Sequence, residues 1–144
     1  MSSHILSKIQ KIMGSEFKTN PRFNEAFRQE KNRRLAQIGD SLLSLFIRER
    51  EYWKPNSTAQ DIEVAKQKVV TKEKMRNIVN GDIEFTRYLV KEHGCTSPIG
   101  NIGLERSDAF IEAIIGAIFV EKENEKESGY KAIKDFCNSI FNYK

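Results

Sequence analysis

Three carboxylates in this chain occupy positions that a helical protein does not need for folding. The segment Asn32 to Leu42, N-R-R-L-A-Q-I-G-D-S-L, puts Asp40 inside an otherwise apolar helical stripe. Much later in the chain, S-D-A-F-I-E-A-I-I-G-A puts Asp108 and Glu112 in a second stripe of the same kind. Carboxylates on the buried faces of two helices are costly unless they are paired or bind a cation. If the two helices meet, Asp40, Asp108 and Glu112 line one acidic pocket. Hard carboxylate oxygens suit Mg²⁺, with Mn²⁺ able to substitute. The bland alternative is that the acids are solvated or salt-bridged residues at helix rims. Gly39 and Gly116 bear on the choice, because glycine costs about 1 kcal/mol in a helix interior relative to alanine. Two of them beside the acids point to a close helix crossing.

The elements that must position these acids read as helices throughout. Only 3 prolines and 8 glycines occur, mostly between periodic segments. Ser3 can cap a first helix that turns Ile5, Leu6, Ile9, Ile12 and Met13 to one face and ends at Gly14. Asn20-Pro21 opens a short helix with Phe23, Ala26 and Phe27 inward. A long helix from about Asn32 to Tyr52 carries Leu35, Ile38, Leu42, Leu45 and Phe46. Lys54 to Thr58 reads as a loop, with Ser57 or Thr58 capping a fourth helix from about Asp61 to Val70. A fifth helix spans Lys72 to Val79 and a sixth Ile83 to Val90. Cys95 to Gly103 is a loop. The most apolar helix, Ser107 to Val120, has Phe110, Ile114, Ile115, Ile118 and Phe119 at its centre and is wide enough in its apolar surface to be buried on most sides. After E-K-E-N-E-K-E-S comes an amphipathic helix with Tyr130, Ile133, Phe136, Cys137, Ile140 and Phe141. No strand or internal repeat is expected.

Composition excludes several classes. A length of 144 residues, 39% hydrophobic and 31% charged, fits one globular domain spanning residues 1–144. No apolar run is long enough to cross a bilayer, so a membrane partner is not expected. A net charge of +4, from 24 basic and 20 acidic residues, mildly favours an anionic partner without identifying one. Cys95 and Cys137 are too few and too far apart for a disulfide framework or a zinc site and read as reduced thiols. His4 and His93 make no metal site. An intracellular, most simply cytoplasmic, protein is expected. The N-terminal amphipathic segment, with no acid before Glu16, leaves a mitochondrial address as the alternative, although it lacks arginine and equally suits a first packed helix. The basic run Lys66, Lys68, Lys72, Lys74 and Arg76 would supply sequence-independent attraction to phosphates. Its bland reading is a solvated helix surface. Tyr52 and Trp53, at a helix end, read as packing residues rather than base-stacking platforms.

These residues resemble the ribonuclease III endonuclease domain. The family signature N-E-R-L-E-F-L-G-D-S is matched at Asn32, Arg34, Leu35, Gly39, Asp40 and Ser41. The second family block, A-D-V-F-E-A-L-I-G-A-I-Y, is matched by Ser107 to Phe119. Gly14-x-x-Phe17-Lys18 with Phe23-x-x-Ala26-Phe27 resembles the family's G-Y-x-F-K and L-x-x-A-L blocks. Lys66 to Val70 resembles its R-A-x-L-V helix. The blocks run in family order from residue 14 to about 119. The resemblance implies an all-α fold of about seven to eight helices, usually homodimeric, and Mg²⁺-dependent endonucleolytic cleavage of double-stranded or structured RNA that leaves 5′-phosphate and 3′-hydroxyl ends. Asp40 and Glu112 would be the principal catalytic metal ligands and Asp108 the next. Duplex RNA of this kind is read mainly by shape and 2′-hydroxyls.

Three departures qualify the resemblance. Ala36 stands where long bacterial members carry a metal-binding glutamate, which makes a second ion harder to hold. The stretch A-Q-I-G-D is closer to the A-Y-I-G-D of Mini-III enzymes, compact members without an RNA-binding tail, and no separate double-stranded-RNA-binding domain is expected. One extra residue separates Asp108 from Glu112. It is either absorbed on one helix face or as a π-bulge, or else Ala109 takes the family aspartate's place. Gln37 replaces an aromatic residue that packs across the family dimer. Ala36, the shifted Asp108 and Arg33, where the family has glutamate, support an alternative function: a catalytically inactive RNA-binding component of a ribosomal or RNA-processing particle.

Overall fold

The computed structural model of the chain describes residues 3–69, 71–96 and 106–142, without the side chains of Lys68 and Val69. Among the described residues there are eight α-helices and no strand: α1 His4–Met13, α2 Pro21–Ala26, α3 Arg33–Tyr52, α4 Ala59–Val69, α5 Lys72–Gly81, α6 Ile83–His93, α7 Ser107–Asn124 and α8 Gly129–Ile140. A short 3-10 turn, Ser15–Thr19, joins α1 to α2. No helix among them is long and apolar enough to cross a membrane. The all-helical fold expected from the periodicity is the one observed. Most of the expected loop Cys95–Gly103 lies outside the described residues.

Local chemistry sets most helix ends. Ser3 Oγ accepts from the Leu6 amide at 3.0 Å, and α1 stops at Gly14, whose φ of +86° favours glycine. Asn20 caps α2 with Pro21 in its first turn. Thr58 and Asp61 close a reciprocal capping box at the start of α4, Thr58 Oγ1 accepting from the Asp61 amide and the Asp61 carboxylate from the Thr58 amide. The sixth helix runs past the expected Val90 to His93, because Gly94 at φ +65° is the residue able to end it. Asp82 does two jobs: it caps α6 at the Phe85 amide, and it accepts from the Ser3 hydroxyl at 2.8 Å and the Ile5 amide at 2.9 Å. One carboxylate thereby fastens the start of α1 to the α5–α6 junction.

The core is organised around α7. Phe110, Ile111, Ile114, Ile115 and Ile118 are fully buried, and α7 packs against α2, α3, α5 and α8. At one end Phe17, Phe23, Phe27 and Phe85 interlock edge-to-face or tilted, with ring centroids 5.7–6.4 Å apart, and Phe85 continues the chain of rings to Phe110. The phenylalanines of the third resemblance block are therefore the wall of the core. Cys95 and Cys137 are both buried and unpaired thiols.

At the α3–α7 crossing backbone meets backbone. A Cβ added at Gly39 would overlap the Glu112 carbonyl oxygen and lie 2.6 Å from its carbon. One added at Gly116 would overlap the Leu35 carbonyl oxygen and lie 3.0 Å from its carbon. Each helix thus contributes a glycine against the other's backbone, the close crossing that the two glycines suggested.

Two expectations for α3 fail. Ile38 and Leu45, read as core residues, are 39% and 53% exposed. They lie seven residues apart, with Tyr52 a further seven on, and form their own stripe turned away from Leu35, Gly39, Leu43 and Phe46, which face α7. Tyr52 and Trp53, read as packing residues, are 62% and 75% exposed, because the last turn of α3 runs beyond the elements that could cover it. The two rings pack on each other, edge-on at 5.1 Å.

Gly39→Ala and Gly116→Ala are expected to destabilise the fold by about 3 kcal/mol or more, since a backbone rather than a flexible side chain must give way. Gly81→Ala, with open space around its Cβ, is expected to be neutral or mildly stabilising. Denaturant midpoints of the three variants check this, and a Gly39→Ala protein as stable as wild type would contradict it.

Candidate metal centre and catalytic site

The crossing dictates where the acids meet. Glu112 is the residue whose backbone Gly39 faces, and Asp40 follows Gly39 on α3. Their carboxyl groups come together at the rim of the crossing and share a hydrogen bond. Two carboxyls can bond in this way only if one carries a proton. Burial, the bond to Asp40 and the charges of Asp40 and Asp108 assign that proton to Glu112, whose pKa is pushed up to about 8. Burial also works against the charge on Asp40. It is outweighed by hydrogen bonds from Lys66 and Glu112 and by the positive charges of Lys66 and Lys72, which hold Asp40 below the usual carboxylate range.

The placement of Asp40 corrects the expectation of a buried acid. Its side chain is 52% exposed, because the apolar stripe of α3 ends at this edge and α4 leans over it with Lys66 instead of an apolar residue. Asp108 is the buried one, at 8% exposure in the first turn of α7. Arg76 on α5 donates to it from Nε at 3.0 Å. The helix is regular α from Ser107 onward, with no π-bulge, which sets Asp108 four residues and Ala109 three residues before Glu112.

The structure brings Asp40 and Glu112 into contact and leaves Asp108 one turn away, near enough for its charge to act on Glu112. Among the described residues, no group of three or more histidine, cysteine or acidic side chains is gathered to hold a metal. The three-acid pocket expected from the sequence is therefore a pair plus an arginine-bound neighbour. Ala36 is at the edge of burial and adds no acid to the pair. A carboxylate pair still fits Mg²⁺, which commonly takes only one or two protein carboxylates and keeps several waters. The stand-in cation agrees with this, since the Lys66 ammonium already sits on Asp40 Oδ1.

The basic run divides in a way the sequence did not foresee. Lys66 and Arg76, both expected to face a polyanion, are engaged with Asp40 and Asp108. Lys72 and Lys74 are exposed, and Lys72 lies within electrostatic reach of Asp40. The side chain of Lys68 lies outside the described residues. No local spacing rule could have found the two ion pairs, which span 26 and 32 residues.

Comparison with known proteins shows what the chain is similar to. The profile of the Ribonuclease III domain matches residues 33–123. Ribonuclease 3 of Campylobacter curvus (strain 525.92) is 27% identical over 132 aligned positions, covering 84% of this chain and 57% of that relative. The chain thus spans little more than half the length of the relative it matches. No solved structure matches it.

The raised Glu112 has a consequence for stability. Between 4.5, its ordinary value, and about 8, the folded chain holds a proton that the unfolded chain has released. Stability is therefore lost as pH rises through that window, and the whole penalty is present above it. Glu112→Gln keeps the hydrogen bond and removes the penalty. In metal-free buffer its melting temperature is expected to exceed that of wild type by about 3 °C at alkaline pH, for a gain of about 1 kcal/mol. The two should converge below pH 4.5. Identical melting curves at alkaline pH would contradict this.

Proposed function

The chain belongs to the ribonuclease III family, and on that premise we propose that it is a divalent-cation-dependent endoribonuclease acting on double-stranded or structured RNA. Family membership suggests the RNA endonuclease activity. The observation that carries the finer reading is the Asp40–Glu112 pair. An acid that keeps its proton up to about pH 8 beside a second carboxylate is a burden on folding, so packing does not explain it. Ligation of a cation does.

Asp40 and Glu112 would hold Mg²⁺, or Mn²⁺ in its place. The bound cation supplies an activated water and relief of charge at the scissile phosphate. The residues of the chain do the rest. Asp40 is already ionised and presents its oxygens at an open rim, where a phosphate can arrive. Glu112 must release its proton to become a ligand, which couples binding of the cation to proton release. Asp108, fixed by Arg76, adds negative charge one turn away. Lys72 and Lys74, exposed at the start of α5, offer phosphate neutralisation on the approach. Hydrolysis would leave 5′-phosphate and 3′-hydroxyl ends.

The second reading is a non-cleaving RNA-binding member. It is favoured by Ala36 and by the basic side chains seated on Asp40 and Asp108. Labelled duplex RNA separates the two. Cleavage with Mg²⁺ or Mn²⁺ is expected, falling at least about 100-fold in Asp40→Asn and Glu112→Gln. RNA binding by both variants should persist. Salt-sensitive binding by the wild type, with no cleavage under either metal, would establish the second reading instead.

We also propose that the chain pairs with itself through α3. Ile38, Leu45 and Tyr52 form a continuous exposed stripe on the side of that helix turned away from α7, with Gln37 exposed beside it. Light scattering at micromolar concentration is expected to give twice the chain mass. Leu45→Lys should give the monomer with unchanged helicity, and a monomeric wild type would remove the proposal.

A further inference from the structure

Lys66 stands where a cation would. It reaches from α4 across to α3 and places its ammonium on Asp40 Oδ1. Its own side chain is only 23% exposed, less than half the exposure of the carboxylate it meets. The same ammonium also acts electrostatically on Glu112, so both members of the pair feel its charge. Asp108 has its own partner in Arg76 and leaves Lys66 to the pair. Asp40 thus carries a cation on Oδ1 before any ion arrives. A divalent cation bound to the same oxygens would meet a like charge at contact distance, and the two cannot share the site.

Building on the metal-site reading above, we propose that Lys66 is a resident counter-ion that a divalent cation must displace from Asp40, so that loading of the site is an exchange of one cation for another. The displaced ammonium stands at the open rim beside Lys72, on the side from which a phosphate group approaches. The exchange gives Lys66 two consequences with opposite signs. It stabilises the acid pair when no ion is present, and it weakens the hold of that pair on an ion. A lysine that merely oriented Asp40 for ligation would instead strengthen that hold.

Titration of the full chain with Mn²⁺, free ion followed by electron paramagnetic resonance and no RNA present, tests this. Lys66→Met and Lys66→Gln are expected to bind Mn²⁺ about threefold tighter or more, the scale set by losing a partly exposed ion pair. Lys66→Arg, which keeps the charge, should bind no tighter than wild type. Circular dichroism confirms that each variant is folded, and agreement between the Met and Gln variants guards against a packing effect. Unchanged or weaker binding in both neutral variants, with wild type binding well, would overturn the exchange and leave the metal site standing. Absence of Mn²⁺ binding in wild type and variants alike would overturn both.

Discussion

The contact on which the rest of this molecule depends is the backbone-to-backbone crossing of α3 and α7. Gly39 lies against the Glu112 backbone, and Gly116 lies against that of Leu35. With no side chain between them, the two helices approach more closely than any other residue would allow. The rotation and register of one against the other are fixed at two points. Fixing two points on rigid helices fixes the side chains beside them. Asp40 is covalently next to one contact and Glu112 is part of it, so their encounter is a by-product of the closest packing in the protein. A site built on rigid elements in this way holds its geometry better than one built on loops.

The other helices manage the charge that the crossing concentrates. Without an ion, Asp40 is opposed by Lys66 from α4, Asp108 by Arg76 from α5, and Glu112 keeps its proton. Three neighbouring acids are thus nearly balanced, two by ion pairs and one by its proton. Each is local to a different element. The α4–α5 segment, read as an attractor for polyanions, therefore has a second role as the source of the internal counter-charges. Lys72 and Lys74 are exposed at the start of α5.

Much of this was legible in the sequence for identifiable reasons. Helix positions followed from apolar periodicity and from caps such as Ser3, Asn20-Pro21 and Gly14, which act through neighbouring residues. The crossing was legible because glycine in a helix interior is unfavourable and two of them lay beside acids. The long-range polar contacts were not. The pairings Lys66–Asp40, Arg76–Asp108 and Asp82–Ser3 join residues with no periodic relation, and their partners are set by the packing angle of whole helices. The direction of Ile38 and Leu45 was misread for a related reason. Apolar residues on a helix report that some face is apolar, and a twenty-residue helix offered two such faces, one used within the fold and one left open. Whether Asp108 shares the pocket depended on a helix being regular, a property that an insertion in a motif leaves undetermined.

The two kinds of residue at the crossing also differ in how this lineage could drift. Replacing Glu112 by its amide relieves the fold of a poorly tolerated negative charge, so loss of chemistry runs downhill in stability. Replacing either glycine forces the backbones apart, so loss of the scaffold runs uphill. A descendant released from any demand for cleavage would be expected to shed the acids early and keep the glycines indefinitely, drifting toward a sturdier and silent version of itself.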